Sequence, residues 1–369
     1  MMRRMWLRRG LAGLALLGGV FWGAAPARAT DPMSGIRSLA MGGSLRGLPS
    51  GAEGLLINPA GIATQKQFSA TGFYSLRPQS MGHFLHASTA DSLTNPYFAL
   101  GLYYNFVHES PRYTYLLGEY TAADGGSLKR VVRVDGASIV RTGSEAGTTV
   151  AIPLFSRFAL GGTLKYGYYT LRSTPTPGHL PTDFSYQSPQ IDGDHIVDLG
   201  SINHVVTFDL GATLRVIDEL YLGVVGHNLW GHGAELSSRL GMGLAYRYGE
   251  RLTLAFDAVI DFVGAQRCSQ QAQPSQLAAG NPMLADSLCV ATEPELSYRL
   301  GGGVEYAIAS RIPVRLGYQF ESLLSAHHLS GGVGYFSPDR GLGIDFVMRQ
   351  AVNAGAETVL LLGLRILKN

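Results

Sequence analysis

From residue 200 onward, hydrophobic and polar residues alternate with a period of two, segment after segment. In HVVTFDLGATLRVI, Val206, Phe208, Leu210, Ala212, Leu214 and Val216 share one face, and Thr207, Asp209, Gly211, Thr213 and Arg215 share the other. LTLAFDAVIDFV sets Leu252, Leu254, Phe256, Ala258, Ile260 and Phe262 against Thr253, Asp257 and Asp261. PVRLGYQFES sets Val314, Leu316, Tyr318 and Phe320 against Arg315, Gln319 and Glu321, and RLGMGLAYRYG, ELSYRLGGGVEY and LGIDFVMRQ repeat the scheme. Alternation of this kind predicts strands with one apolar and one polar face.

Two architectures produce that pattern. A soluble antiparallel sandwich turns its apolar faces toward a core, whereas a membrane barrel turns them outward to lipid and keeps the polar faces in its lumen. The runs here are 10 to 14 residues long. That matches the ~9–11 residues needed to cross a bilayer at a tilt, against ~5–6 in ordinary strands. Tyr246, Tyr248, Tyr298, Tyr318 and Phe320 fall near strand ends on the apolar faces, as an interfacial girdle requires. The polar faces mix glycine with charge that can pair inside a lumen: Asp209, Gly211 and Arg215; Arg239, Gly241 and Arg247; Arg299, Gly301 and Glu305; Asp345 and Arg349. With Asp257, Asp261, Arg315 and Glu321 these are the expected lumen-lining residues. The predicted fold class is therefore all-β, a transmembrane antiparallel β-barrel.

Strand candidates are residues 68–76, 82–89, 97–107, 113–121, 128–141, 146–152, 157–172, 202–216, 220–229, 238–248, 252–263, 294–308, 312–321, 327–336, 342–350 and 357–367. That is sixteen, but 113–152 is weakly periodic and is expected to lose two, leaving an even fourteen. Tight turns at Asp218-Glu219, Gly249-Glu250 and Pro338-Asp339-Arg340 contrast with long polar segments at 173–201 and 264–293, which is the asymmetry of an outer-membrane barrel.

Composition narrows the partners. Of 369 residues only 15% are charged, the net charge is +2, and 48 are glycine. The basic residues are dispersed, so no nucleic-acid partner is expected. The N-terminus reads MMRRMWLRRG, then the apolar LAGLALLGGVFWGAA, then Ala27-Arg28-Ala29, which is a secretory signal peptide over residues 1–29 with a cleavage site. Beyond it, no run approaches the ~20 apolar residues of a membrane helix, so a membrane-spanning chain must do so as a closed barrel. Cys268 and Cys289 are the only cysteines and, in an oxidising compartment, predict one disulfide closing a loop. Neither has a second Cys or His at ligand spacing, so no metal or other cofactor is expected.

The segment GIRSLAMGGSLRGLPSGAEGLLINPAGIAT resembles the N-terminal region of FadL-type outer-membrane transporters of long-chain fatty acids and hydrocarbons, and of their PorV-type relatives. The shared features are Leu39 to Ser44, then Ala52-Glu53, then Asn58-Pro59-Ala60-Gly61 with a short helical turn. FALGGTLKYGYY (158–169) and LYLGVVGHNLWG (220–231) are similar to strands of the same families, whereas the C-terminal LRILKN lacks the terminal aromatic common in bacterial outer-membrane barrels. The resemblance implies a hatch over 30–67 plugging a fourteen-stranded barrel over 68–369. Ligand would enter from outside, sit in an apolar pocket, and leave through a gap in the wall. Read by themselves, Asn58 suits an N-cap, Pro59 the first position of a helical turn, and Gly61 close backbone packing. Asn58, Pro59, Ala60 and Gly61 are accordingly the candidate gating residues.

The expected function is passive movement of hydrophobic small molecules across the bacterial outer membrane, in contact with its lipid. The alternative is a PorV-like, non-transporting barrel that binds a secretion-system or surface protein. Enzyme motifs are missing: there is no Gly-x-Ser-x-Gly and no P-loop. Adjacent His327 and His328 must face opposite ways in a strand, His227 and His232 at a strand end read as interface residues, and DGDHIVD (192–198) reads as a solvated loop.

Overall fold

Inward small or polar residues and outward branched or aromatic ones satisfy a strand on both faces only when the sheet closes on itself. The computed structural model describes residues 35–78, 82–109, 116–122, 127–132, 138–174, 184–187, 203–230, 238–262, 266–271, 289–294, 296–322, 326–352 and 358–368. In these, the barrel strands are β1 (Phe68–Arg77), β2 (Gly82–Asp91), β3 (Ala99–Glu109), β6 (Ser138–Phe155), β7 (Phe158–Thr174), β9 (Asn203–Arg215) and β10 (Leu220–His227). They continue with β11 (Arg239–Tyr248), β12 (Leu252–Asp261), β15 (Ser297–Ile308), β16 (Ile312–Glu321), β17 (Ala326–Ser337), β18 (Leu342–Ala351) and β19 (Thr358–Lys368). These fourteen form one closed antiparallel barrel, with β1 pairing β19 from Phe68↔Lys368 to Leu76↔Leu360.

The remaining strands lie outside the wall. β4 (Leu116–Ala122), β5 (Ser127–Val132) and β8 (Phe184–Gln187) make a separate three-stranded sheet, and β13 (Gln266–Gln271) pairs with β14 (Cys289–Pro294). The candidates 113–121 and 128–141 thus correspond to β4 and β5 plus the first residues of a long β6. They are weakly periodic because they have no lipid face to maintain. The 173–201 and 264–293 segments hold β8 and the β13–β14 hairpin rather than loop alone. The signal peptide, DGDHIVD, His232 and the side chains of Cys268 and Cys289, hence the expected disulfide, lie outside the described residues.

Both ends of the barrel chain and the turns at 156–157, 216–219, 249–251, 309–311 and 338–341 lie at one rim, called here the near rim. The far rim carries the connections 110–137, 175–202, 228–238 and 262–296. Each wall ladder steps residue by residue, with its single register shift between Pro153 and Phe155 at a near-rim turn. The described ladders therefore contain no break of the kind a side exit would need. The shortest joins β10 to β9 over Leu210–Arg215, beyond which the Leu229 amide donates to the Phe208 carbonyl at 2.9 Å.

The faces sort cleanly. Outward Leu164, Val206, Leu210, Phe256, Leu316, Leu362 and Leu364 are exposed all round the barrel, whereas Thr163, Thr207, Asp209, Asp257 and Arg315 are buried inside it. A continuous apolar surface of this extent is unfavourable in water and favourable in lipid.

Candidate functional site: the hatch and the lumen it fills

The lumen is not open, because the chain preceding β1 lies inside it. The helical turns Ile36–Ala40, Gly51–Glu53, Gly54–Ile57 and Pro59–Ala63 are short, the middle two running directly into each other. Gly42 and Gly43 (φ +70° and +76°) make a bend in the left-handed region open to glycine, and Leu45 holds φ 101° just after them. Buried Ile36, Leu39, Met41, Leu45, Leu55, Ile57 and Ile62 supply the packing. Each contributes about 1.5–3 kcal/mol relative to exposure in water.

Residues 36–46 of the hatch pass round the inner wall in the order of the strands, and the later turns cross to β3 at Leu55 and come back to β9 and β7 at Asn58–Ala60. Ile36 lies against Gly363 of β19, Ala40 against Gly332 of β17, and Gly42 between Gly301 of β15 and Gly317 of β16. Arg46 then lies against Gly223 of β10, Asn58 against Gly211 of β9, Pro59 and Ala60 against Gly161 of β7, and Leu55 against Gly101 of β3. At each of these wall positions a Cβ would overlap the hatch. Glycine on the polar faces is therefore a seat for the hatch, a role the alternation pattern alone did not show.

Polar contacts fix it. The Arg37 guanidinium pairs with Glu305 at 2.7 Å, and Glu305 also accepts from Arg315 Nε at 2.6 Å. Arg315 donates on to Asp345 at 2.6 Å, and Arg365 approaches Asp345 at 3.4 Å. Arg46 pairs with Asp257 at 3.0 Å, and its backbone amide donates to the same carboxylate at 2.9 Å. Glu53 accepts from the Arg37 amide at 2.7 Å. Burial pushes the Glu53 carboxyl above the usual glutamate range, opposed by that hydrogen bond and by Arg365, Arg315 and Arg37.

Asn58 is fully buried at the centre of the hatch. Its amide nitrogen donates to the Arg46 carbonyl at 3.0 Å, to the Ala212 carbonyl at 3.1 Å and to Thr213 Oγ1 at 3.3 Å. Its side-chain oxygen accepts from the Ala60 amide at 3.2 Å, with Pro59 at the first position of the turn. Asn58 thus ties two hatch segments to β9. Gly61 lies where a Cβ would overlap Pro49.

The other charged positions divide by height. Asp209, Arg239, Asp261 and Arg349 are buried in the lumen toward the far rim. Arg239 pairs with Asp261 at 3.0 Å, Asp209 with Lys165 at 2.6 Å and His227 at 2.9 Å, and Arg349 donates to Gln319 at 3.4 Å. Glu321 lies 3.7 Å from His328. Arg299 is half-buried near the far end of β15. Arg215 and Arg247 sit toward the near rim, where Arg247 packs over the Tyr221 ring and Arg215 approaches Asp218 at 4.0 Å. His227 faces the lumen rather than the interface, because it shares the inward parity of Tyr221, Gly223 and Val225 along β10, and there it meets Asp209.

Sequence reasoning missed Arg37, Arg46, Lys165 and Glu145. Arg37 and Arg46 are the only cations in the otherwise uncharged 35–52, which is itself a cue that they need buried partners. Glu145 accepts from Tyr103 Oη at 2.7 Å and Tyr169 Oη at 3.2 Å, both rings lying flat on the wall over Gly147 and Gly143. With Phe73 stacked on His86 (centroids 4.6 Å apart), they give this side of the lumen an aromatic lining. Among the described residues no group of three metal-ligating side chains converges.

Neither a protein-family model nor a curated protein matches the chain. Solved structures do. The CymD monoaromatic hydrocarbon channel aligns with a TM-score of 0.59 at 13% identity, over 92% of this chain and 99% of that one. The Pseudomonas putida toluene transporter TodX aligns at 0.55 and 14%, over 92% and 97%. A Pseudomonas aeruginosa FadL homologue aligns at 0.53 and 13%, over 93% and 98%. The chain therefore has the fold of the FadL-type hydrocarbon channels, a closed fourteen-stranded barrel with its N-terminal segment seated in the lumen.

Proposed function

We propose that this barrel resides in the bacterial outer membrane and passes hydrophobic small molecules, such as hydrocarbons or long-chain fatty acids, down their gradient, with the 35–67 hatch as its gate. The observation that carries the reading is the hatch itself. Its segments seat against strands all round the wall, from β19 to β10 and then on β3, β9 and β7, so a solute can cross the near half of the lumen only if part of it gives way. Phe73 and Tyr103, packed against the hatch, and Tyr169 beside them would line the path with aromatic rings once the hatch gave way, which suits an apolar ring or chain. A side exit would open first where the wall is least bonded, between β9 and β10.

The apolar outer surface supports membrane residence, and the shared fold with channels for toluene and monoaromatic hydrocarbons supports the solute class. The alternative, a PorV-like barrel that binds a secreted or surface protein, draws support from the β4–β5–β8 sheet, which joins two far-rim connections into one ordered platform. Uptake of labelled toluene and labelled long-chain fatty acid, by cells with and without the protein, separates the two. Faster uptake of either supports the channel, and the faster one names the class. Equal rates with the barrel correctly folded in the membrane overturn it in favour of the partner-binding reading.

A further inference from the structure

The lipid-facing surface is chemically asymmetric between its two rims. At the near rim the tight turns carry fixed charge of both signs, Arg157, Arg251, Arg311 and Arg340 alongside Asp218, Glu219, Glu250 and Asp339. At the far rim, the outward positions with described side chains carry no Asp, Glu, Lys or Arg; the ionisable side chains there, apart from tyrosines, are His83, His108, His204 and His327. Three of these repeat one construction. His83 Nδ1 hydrogen-bonds with Tyr74 Oη at 2.5 Å, His204 Nδ1 with Tyr166 Oη at 2.7 Å, and His327 Nδ1 with Tyr318 Oη at 2.6 Å. In each, the tyrosine is two residues along from the histidine's cross-strand partner (Leu76, Tyr168 or Phe320) on the same outward face. The pairs occupy β1–β2, β7–β9 and β16–β17, so they are spread round the barrel. Their titratable neighbours are few: His108 stacks on His83 at 6.4 Å and bonds to Thr142, Tyr168 meets His204 edge-on at 5.3 Å, and Phe320 covers His327 at 5.2 Å.

From this repetition we infer that the far rim is a phosphate-binding girdle: the Tyr–His pairs contact phosphate groups of the surrounding leaflet's lipid headgroups. Tyrosine alone anchors a barrel at an interface, and does not require an imidazole held at a fixed angle. Imidazole is the side chain whose charge changes between about pH 8 and pH 5, and in its charged form both ring nitrogens donate. The absence of carboxylates among the described outward positions leaves an anion there unopposed. The inference rests on the membrane placement proposed above.

The test compares folded protein in phosphatidylcholine vesicles with and without phosphatidic acid, at about pH 5.5 and about pH 8. The native protein should unfold about 2–4 °C higher with phosphatidic acid at the lower pH, and show little difference at the higher. A His83→Gln/His204→Gln/His327→Gln variant should lose that increment. A Tyr74→Phe/Tyr166→Phe/Tyr318→Phe variant, which keeps the rings and imidazoles, should retain part of it. An equal increment in native and histidine-free protein overturns the girdle, as does the same pH response in pure phosphatidylcholine. Zinc ion stabilising the native protein in phosphatidylcholine, with no phosphatidic acid effect, would also overturn it by assigning the histidines to a metal. Failure to insert into either vesicle would sink the membrane placement itself, which is a distinguishable result.

Discussion

At the residue scale, Asn58 carries more than a cap. Its amide donates to three acceptors on two chain segments while its oxygen holds the Ala60 amide. Asn58→Asp replaces the donor with an oxygen facing those acceptors, so it should be worse than Asn58→Ala. The alanine change should cost about 1–3 kcal/mol for stranded buried groups. Hatch protection from protease, measured with barrel folding as a control, checks the order. The two hatch arginines should also differ. Arg46→Met leaves the Asp257 carboxylate buried with the Arg46 backbone amide, a loss of about 3–5 kcal/mol. Arg37→Met leaves Glu305 still held by Arg315, so its cost should be nearer 1.5–3 kcal/mol. Glu53 adds a pH dependence. A carboxyl whose folded-state value is raised binds more protons when docked than when free, so docking is strongest below the usual glutamate range and weakens as pH rises through the raised value. Protection factors of the hatch amides, with the intrinsic pH dependence of exchange divided out, should thus be lower at neutral than at mildly acidic pH, and Glu53→Gln should flatten the difference.

At the scale of elements, alternation placed the strands because a membrane wall imposes period two along its whole length. The register of Asp209, Asp257, Asp261, Arg315 and Asp345 could be read from it, since a slip of one residue would expose each to lipid. Partners could not: Asp257 meets Arg46 over 211 residues of separation, and no local pattern encodes that. The far-rim strands β8, β13 and β14 were likewise illegible, and β4 and β5 were visible as strands but not as lying outside the wall, because nothing forces a lipid face on them. The wall glycines belong between these cases. Their presence on polar faces was plain, but their purpose shows only once the hatch occupies the space. Gly161→Leu or Gly223→Leu should therefore unseat the hatch while leaving the ladders paired, at about 1–3 kcal/mol or more per site. Raised small-ion conductance at unchanged barrel content would bear this out. The same change at Gly249, in a turn with open space around the missing Cβ, should leave conductance alone.

At the scale of the molecule, an apolar outer wall, a lumen half-filled by its own N-terminal segment and aromatic rings packed against that segment are the features on which the proposed channel rests. Passage of the proposed solute then requires this segment to move. A bridge between Ala40→Cys and Gly332→Cys tests it, with Cys268 and Cys289 replaced by Ser. A Cβ at 332 would lie 2.9 Å from that of Ala40, about 0.6 Å below the ordinary disulfide range, so the hatch must shift slightly to form the bridge and the reduced variant is read against the native protein. The decisive quantity is the uptake rate of the hydrophobic solute with the bridge oxidised and then reduced. Uptake should be slow while the hatch is tethered and should recover on reduction; equally fast uptake in both states would mean that solute passes without hatch movement.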